Sequence, residues 1–335
     1  MFKPIQSTTV YGDADWVAYL LGRPEYPSSL YNIIRAHHAK HGNGKWNRIV
    51  DIGSGIGVAL TGFAEDFEVL HVSDPSASNL HKACRFLTTW MQCHGAKATL
   101  EFSQSEGEFA DQLVGYSSSD MVICAVAAHF MDPDGLVQSA SNMLRPGGTL
   151  AIFTYMHPSF PNQSRAFTEA YLDSLMSSII SSSRDNSKAS SVLWQAMSRM
   201  YCGGGGQDNV PLPAKLLTKR HRYHINASQG EMTCQGKALK YLPAGVDLPP
   251  VRISPSEKII ALESGEDAGG DGWTFEMNKK SLFDFIATVG KPIGEEDNEE
   301  VLASYATFGK IFDEECPSGF TLARWPCKIA IGTRK

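Results

Sequence analysis

From Trp46 to about Tyr155, short apolar runs rich in β-branched residues alternate with stretches of helical spacing. "NRIVDI", "FEVLHVSD", "ATLEFS", "DMVICAVAA" and "TLAIFTY" read as strands, and the fourth is apolar throughout, as suits a strand buried on both faces. Between them, "GVALTGFAE", "SASNLHKACRFLTTWMQCHG" and "DGLVQSASNMLRPGG" have helical spacing. In the second of these, Leu80, Ala83, Cys84, Leu87 and Met91 share one face. Such alternation predicts right-handed crossovers and a parallel sheet. Upstream, "PSSLYNIIRAHHAKHG" predicts a helix capped by Ser28 or Ser29 and stopped by Gly42.

Past Tyr155 the rhythm is lost. Residues 156–272 hold helical stretches ("AFTEAYLDSLMSSII", "SVLWQAMSRM"), a serine-rich break and two glycine-rich links around a basic run, "KLLTKRHRYH". They read as an inserted helical cap and not as a second wound sheet. Helical patterns return at "KKSLFDFIATVG" and "EEVLASYATFGKIFDEE", and "GFTLARWPCKIAIGTRK" alternates as terminal strand structure. The organisation expected is a leader, 1–44, a wound core, 45–155, an inserted cap, 156–272, and a C-terminal completion of the core, 273–335.

Composition narrows the function classes. The 335 residues carry a formal net charge of -6, which counts against nucleic acid as a partner. An apolar fraction of 42% supports a real core. The seven cysteines, Cys84, Cys93, Cys124, Cys202, Cys234, Cys316 and Cys327, are odd in number and form no CxxC pair. Reduced, buried thiols in a cytoplasmic protein are the economical reading. There is no charged-then-apolar leader and no window of about 20 apolar residues. The histidines and cysteines show no metal spacing of the HxxxH-with-CxxC kind, so no metal is expected.

The first strand runs into "VDIGSGIG", residues 50–57. A glycine-rich turn between strand and helix presents backbone amides to a ligand. A phosphate-binding loop needs a Lys followed by Ser or Thr, which is lacking here, and a dinucleotide fingerprint needs GxGxxG. Here the third glycine comes one place early, giving GxGxG after Asp51. An acid before GxGxG fits a ligand with an amino group and no pyrophosphate. Asp74, at the tip of the second strand and about twenty residues on, stands where an acid binds ribose hydroxyls. It can equally cap the helix that follows. Glu106 lies just past the third strand, facing an adenine edge or plain solvent.

These segments, with "DMVICAVAAHFMD" and "LRPGGTLAIFTY", resemble the motifs of class I S-adenosylmethionine (SAM) dependent methyltransferases. "YLLGRPEYPSSLY" and "RWPCKIAIGTRK" are similar to the leader and last strand of the trans-aconitate methyltransferase-like family, fungal members included. The resemblance implies a doubly wound, Rossmann-like α/β sheet, mostly parallel with an antiparallel last strand, under an N-terminal lid and an inserted cap. It implies that Asp51, Gly53, Ser54 and Gly55 line the methionine end of SAM. Asp74, with Pro75 and Ser76 beside it, would bind the ribose. Glu106 and Ser105 would face the adenine, Ala125 and Val126 would pass beneath the sulfonium, and Tyr19 and Arg23 would close over the cofactor.

His129 is the candidate catalytic residue, just past strand four, where the family usually has His-Trp and this chain has His129-Phe130. A packed structural histidine is the alternative. Tyr155, His157, Phe160 and Trp194 either wall a substrate pocket or form the core of the insertion. Arg222, in the basic run, either grips an anionic substrate or belongs to a solvated helix face. The expected reaction is SN2 methyl transfer to a small-molecule acceptor, first a carboxylate or hydroxyl oxygen of a small acid or secondary metabolite, by a monomer or homodimer. The alternative is a SAM-binding protein that does not methylate, such as a cyclisation catalyst or regulatory partner.

Overall fold

A computed structural model describes residues 14–183, 187–203, 205–227, 242, 246–264, 272–290 and 299–335. Cys234, in the notional cap, lies outside the described residues. The chain enters through helices α1 (Trp16–Gly22) and α2 (Ser28–His41). The wound core follows: β1 (Arg48–Ile52), β2 (Val69–Asp74), α3 (Ala77–His94), β3 (Thr99–Gln104), α4 (Asp111–Val114), β4 (Ser119–Ala125), α5 (Pro133–Met143) and β5 (Leu144–Tyr155). Helices α6 (Arg165–Ser183) and α7 (Ser187–Met200) lead to β6 (Leu217–Ile225) and β7 (Lys258–Leu262). The remainder is β8 (Thr274–Asn278), α8 (Lys279–Val289), α9 (Glu299–Glu315), β9 (Phe320–Arg324) and β10 (Cys327–Arg334).

The main sheet has eight strands in the order β3-β2-β1-β4-β5-β10-β6-β7. Strands β1 to β5 pair in parallel, β10 pairs antiparallel with both β5 and β6, and β7 is parallel to β6. The predicted doubly wound architecture with an antiparallel last strand is present. The segment 156–272 departs from expectation: it supplies two strands to the main sheet as well as helices. The basic run is strand β6, not a helix face. The burial of Arg222 and His224 is hidden by the high charge of its sequence.

Local chemistry explains the other boundaries. Alternate residues of each central strand serve opposite faces: Ile49, Met121 and Ile123 join one apolar cluster, and Val50, Val122 and Cys124 the other. Asp51 lies two residues past Ile49 and so projects to the same face. Helix α2 starts at Ser28 itself, with Pro27 at the cap position and no side-chain cap, so neither serine caps it. Gly42 ends it as expected. On α3 the cap is Ser76, which accepts from the Asn79 amide, and Leu87 and Met91 are buried as predicted. Cys84 and Cys93 are exposed rather than buried. "GVALTGFAE" is a 3-10 turn over Val58–Phe63 and not a full α-helix. Among the described residues no helix is long and apolar enough to cross a membrane.

Candidate active site

A cavity of about 410 Å³ opens where β1, β2 and β4 end, a common ligand position in open α/β sheets. The glycine loop forms one wall. Gly53, Gly55 and Gly57 all have positive φ (66°, 56° and 81°), which only glycine adopts without strain. A Cβ on Gly55 would lie 2.5 Å from the Trp16 indole, so the leader helix α1 rests directly on the loop. Trp16 is anchored there by its Nε1, which donates to Asn79 Oδ1 at 3.1 Å.

Two carboxylates organise this wall. Asp74 accepts from the Gly55 amide (2.9 Å), the Ser76 amide (2.8 Å) and Asn79 Nδ2 (3.1 Å). Burial nonetheless raises its pKa, with the hydrogen bonds opposing. Asp51 is the reverse case. It is 1% exposed, and both carboxylate oxygens are buried with no hydrogen-bond partner. Burial first, and the Asp74 charge second, push its pKa well up. An unpaired buried carboxylate is costly, and a bound cation would relieve that cost.

The far wall is mostly apolar. Ala125 ends β4, Val126, Ala127, Phe130 and Met131 follow it, Val192 and Met200 come from α7, and Val289 from α8. Tyr19, Arg23 and Tyr26 close the top. The Arg23 guanidinium lies 4.9 Å from the Tyr19 ring centroid and 5.2 Å from that of Phe285, and donates to the Thr288 carbonyl at 2.9 Å. His129 also lines the cavity. Its pKa is lowered to about 3, by burial and then by the charges of Arg23 and Arg199. Arg199 donates to the His129 carbonyl at 3.2 Å.

Of the cofactor residues expected from sequence, Tyr19, Arg23, Asp51, Gly53, Ser54, Gly55, Asp74, Pro75, Glu106, Ala125 and Val126 all line this one cavity. Ser105 does not; it is buried behind the wall and donates to the Glu106 carbonyl. The substrate candidates stand outside the lining. Tyr155 is core, ringed by Tyr26, Trp273 and Trp325. His157 bonds the Tyr201 hydroxyl through Nε2, and Phe160 packs on Phe167 and Tyr171. Trp194 packs half-buried against the same core. Arg222 is fully committed: its Nε donates to Glu257 (2.5 Å), and its Nη atoms to the carbonyls of Val210 (2.7 Å) and Gln207 (3.5 Å). Sequence reasoning missed Trp16, Asn79, Met131 and Met200.

A family profile described as "Methyltransferase domain" matches residues 50–152, the span from the glycine loop into β5. That span of the chain is similar to a methyltransferase domain. Relatives of the chain include Methyltransferase cfoB of Aspergillus candidus, 28% identical over 65% of this chain and 65% of its own length. A methyltransferase of Claviceps purpurea is 25% identical over 99% of this chain and 96% of its own. Methyltransferase tpcM of Aspergillus fumigatus is 31% identical over 41% of this chain and 40% of its own. The donor set fits SAM: the unpartnered Asp51 carboxylate suits an ammonium, and Gly53, Ser54 and Gly55 line the same cavity beside it. The rigid Asp74 stands at the tip of the second strand.

Proposed function

We propose that this methyltransferase acts on a small molecule and methylates an oxygen that is anionic at neutral pH, a carboxylate first. The observation that carries this reading is the charge pattern at the acceptor end. Burial first, and then the guanidiniums of Arg23 and Arg199, hold His129 neutral with a pKa of about 3. That field favours an anionic acceptor. The same field makes His129 a poor proton acceptor, which suits a nucleophile with no proton to lose. A neutral imidazole can still position an acceptor through a hydrogen bond.

SAM supplies an electrophilic methyl group on a positively charged sulfur. The chain's own residues do the rest. Asp51, Gly53 and Gly55 hold the amino-acid end, and Asp74 and Glu106 serve the nucleoside end. Trp16, Tyr19 and Tyr26 exclude water from above, while Val192 and Met200 bring the segment after β5 against the acceptor. Alignment and dehydration are then the main sources of rate. The leader "YLLGRPEYP" and the cationic acceptor end support a trans-aconitate-type acceptor within this class.

The test is incubation with methyl-labelled SAM and matched panels of small carboxylic acids and neutral phenols, read by mass spectrometry. Label should pass to acids in preference. SAM binding without transfer to either panel would overturn the methylation reading, and transfer to neutral phenols alone would overturn the carboxylate.

A further inference from the structure

Three histidines meet far from the cofactor cavity. His37 and His41 stand one turn apart on α2, and His221 faces them from β6. One nitrogen from each lies within 4.8 Å of the other two. The ring centroids are 5.1, 5.3 and 5.8 Å apart. None of the three lines the cofactor cavity. We propose that His37, His41 and His221 form a three-histidine site for a borderline transition-metal ion, zinc in the first instance, with one coordination position left open.

The surroundings support a built site. His37 is 3% exposed; its Nε2 lies 3.1 Å from the Thr333 hydroxyl, while Nδ1 is buried without a partner. A hydrogen bond from one ring nitrogen to a neighbour is what orients metal-binding imidazoles, since it fixes the tautomer and points the other lone pair inward. His221 Nδ1 is likewise buried and unpartnered. Zinc–nitrogen bonds of about 2.0–2.1 Å in tetrahedral geometry put ligand nitrogens about 3.4 Å apart. Binding therefore has the nitrogens close from 4.8 Å, with the half-buried His41 and His221 the freer of the three to move.

The backbone is also adapted at this point. The β6–β10 register shifts between the Ile331–His221 and Thr333–Thr218 pairs, and Lys219 within that irregularity has φ 48°. A bulge redirects the side chains beside it, and a left-handed non-glycine residue is a cost retained where geometry is needed. Lys40, Lys219 and Lys258 all bear on the imidazoles electrostatically. They select an ion that completes its shell with an anion, hydroxide or chloride, and disfavour weakly held hard cations.

Bound metal would tie the leader helix to the strand supplied by the segment after β5. The proposal is independent of the acceptor. Zinc alone is titrated by calorimetry into chelator-treated full-length protein, with melting temperature and the visible spectrum of a cobalt-loaded sample as further readouts. One equivalent should bind with micromolar affinity or better, raise the melting temperature and give the intense absorption of four-coordinate cobalt. His41→Ala and His221→Ala, at half-buried positions that should leave the fold intact, should each weaken binding at least tenfold and abolish the thermal shift. No saturable binding at 100-fold molar excess, or unchanged binding in both variants, would overturn the site.

Discussion

The Gly55 amide donates to Asp74 at 2.9 Å, joining the glycine loop to the end of the neighbouring strand. The acid expected to bind ribose is therefore also the post that fixes the loop. Asp74→Ala should weaken SAM binding by about 1–3 kcal/mol, the cost of unpaired polar groups. It should also lower the melting temperature of the ligand-free protein. Calorimetry and thermal unfolding read the two effects separately, and unchanged SAM affinity would remove Asp74 from the site.

Asp51 should show the opposite balance. Its carboxylate is buried and unpartnered in the ligand-free chain, so Asp51→Asn removes a charge that burial penalises. The melting temperature without SAM should rise, and the stabilisation conferred by SAM should shrink. A variant less stable than the parent in both conditions would mean that the carboxylate is already paired in solution.

Gly55→Ala places a methyl group 2.5 Å from the Trp16 ring at a φ of 56°. The left-handed backbone alone costs about 1–2 kcal/mol for a residue with a side chain. Lifting the leader adds to that cost, so SAM affinity should fall at least tenfold. In a Trp16→Ala background the same substitution should cost less, because the clash is gone. Strictly additive losses would show that α1 does not rest on the loop.

Acid should weaken the fold through its buried histidines. His129, at about 3, and His157, at about 4, sit below the ordinary value of about 6.5. Below pH 6.5 the unfolded chain takes up protons that the folded chain refuses, so stability falls from there toward pH 3–4. Asp51 and Asp74 act in the other direction, since their raised values relieve strain on protonation. Urea unfolding at pH 7 and pH 5 should show a net loss. His129→Gln should reduce it by about 1–2 kcal/mol; an unaltered pH slope would show that His129 is solvated.

Arg222→Met should destabilise the chain by about 3–5 kcal/mol, because it strands Glu257 in the interior. SAM affinity of the folded fraction should not change. Loss of cofactor or acceptor affinity, with stability retained, would return Arg222 to the site.

The burial of Arg222 rests on a partner remote in sequence. Its partner Glu257 lies 35 positions away, and nothing in "KLLTKRHRYH" announces it. Buried Lys328 is charge-paired with Asp208 across a gap of 120. Strands whose charges are paired at such range look like solvated surface. The strands β1 to β5 were legible because their apolar periodicity is local and strong, and the glycine loop because its φ demands appear as residue type. Aromatics after Tyr155 were legible as important but not as core or wall, since that depends on which face of α6 or α7 turns inward. Trp16 was invisible for a similar reason: its place is set by a helix docking, not by its neighbours in sequence.

The position of β10 inside the sheet has a consequence for synthesis. Strand β6 ends at Ile225, yet the strand that joins it to the wound core begins only at Cys327. At about 5–20 residues per second, the ribosome needs roughly 5–20 seconds to deliver that missing strand. For that interval β5 presents an open, apolar edge of the kind that recruits foreign strands, beside the unpaired but basic edge of β6. Chaperone dependence and aggregation on slow translation should therefore concentrate in the stretch between Ile225 and Cys327, and codon changes there should alter soluble yield more than the same changes upstream of β5.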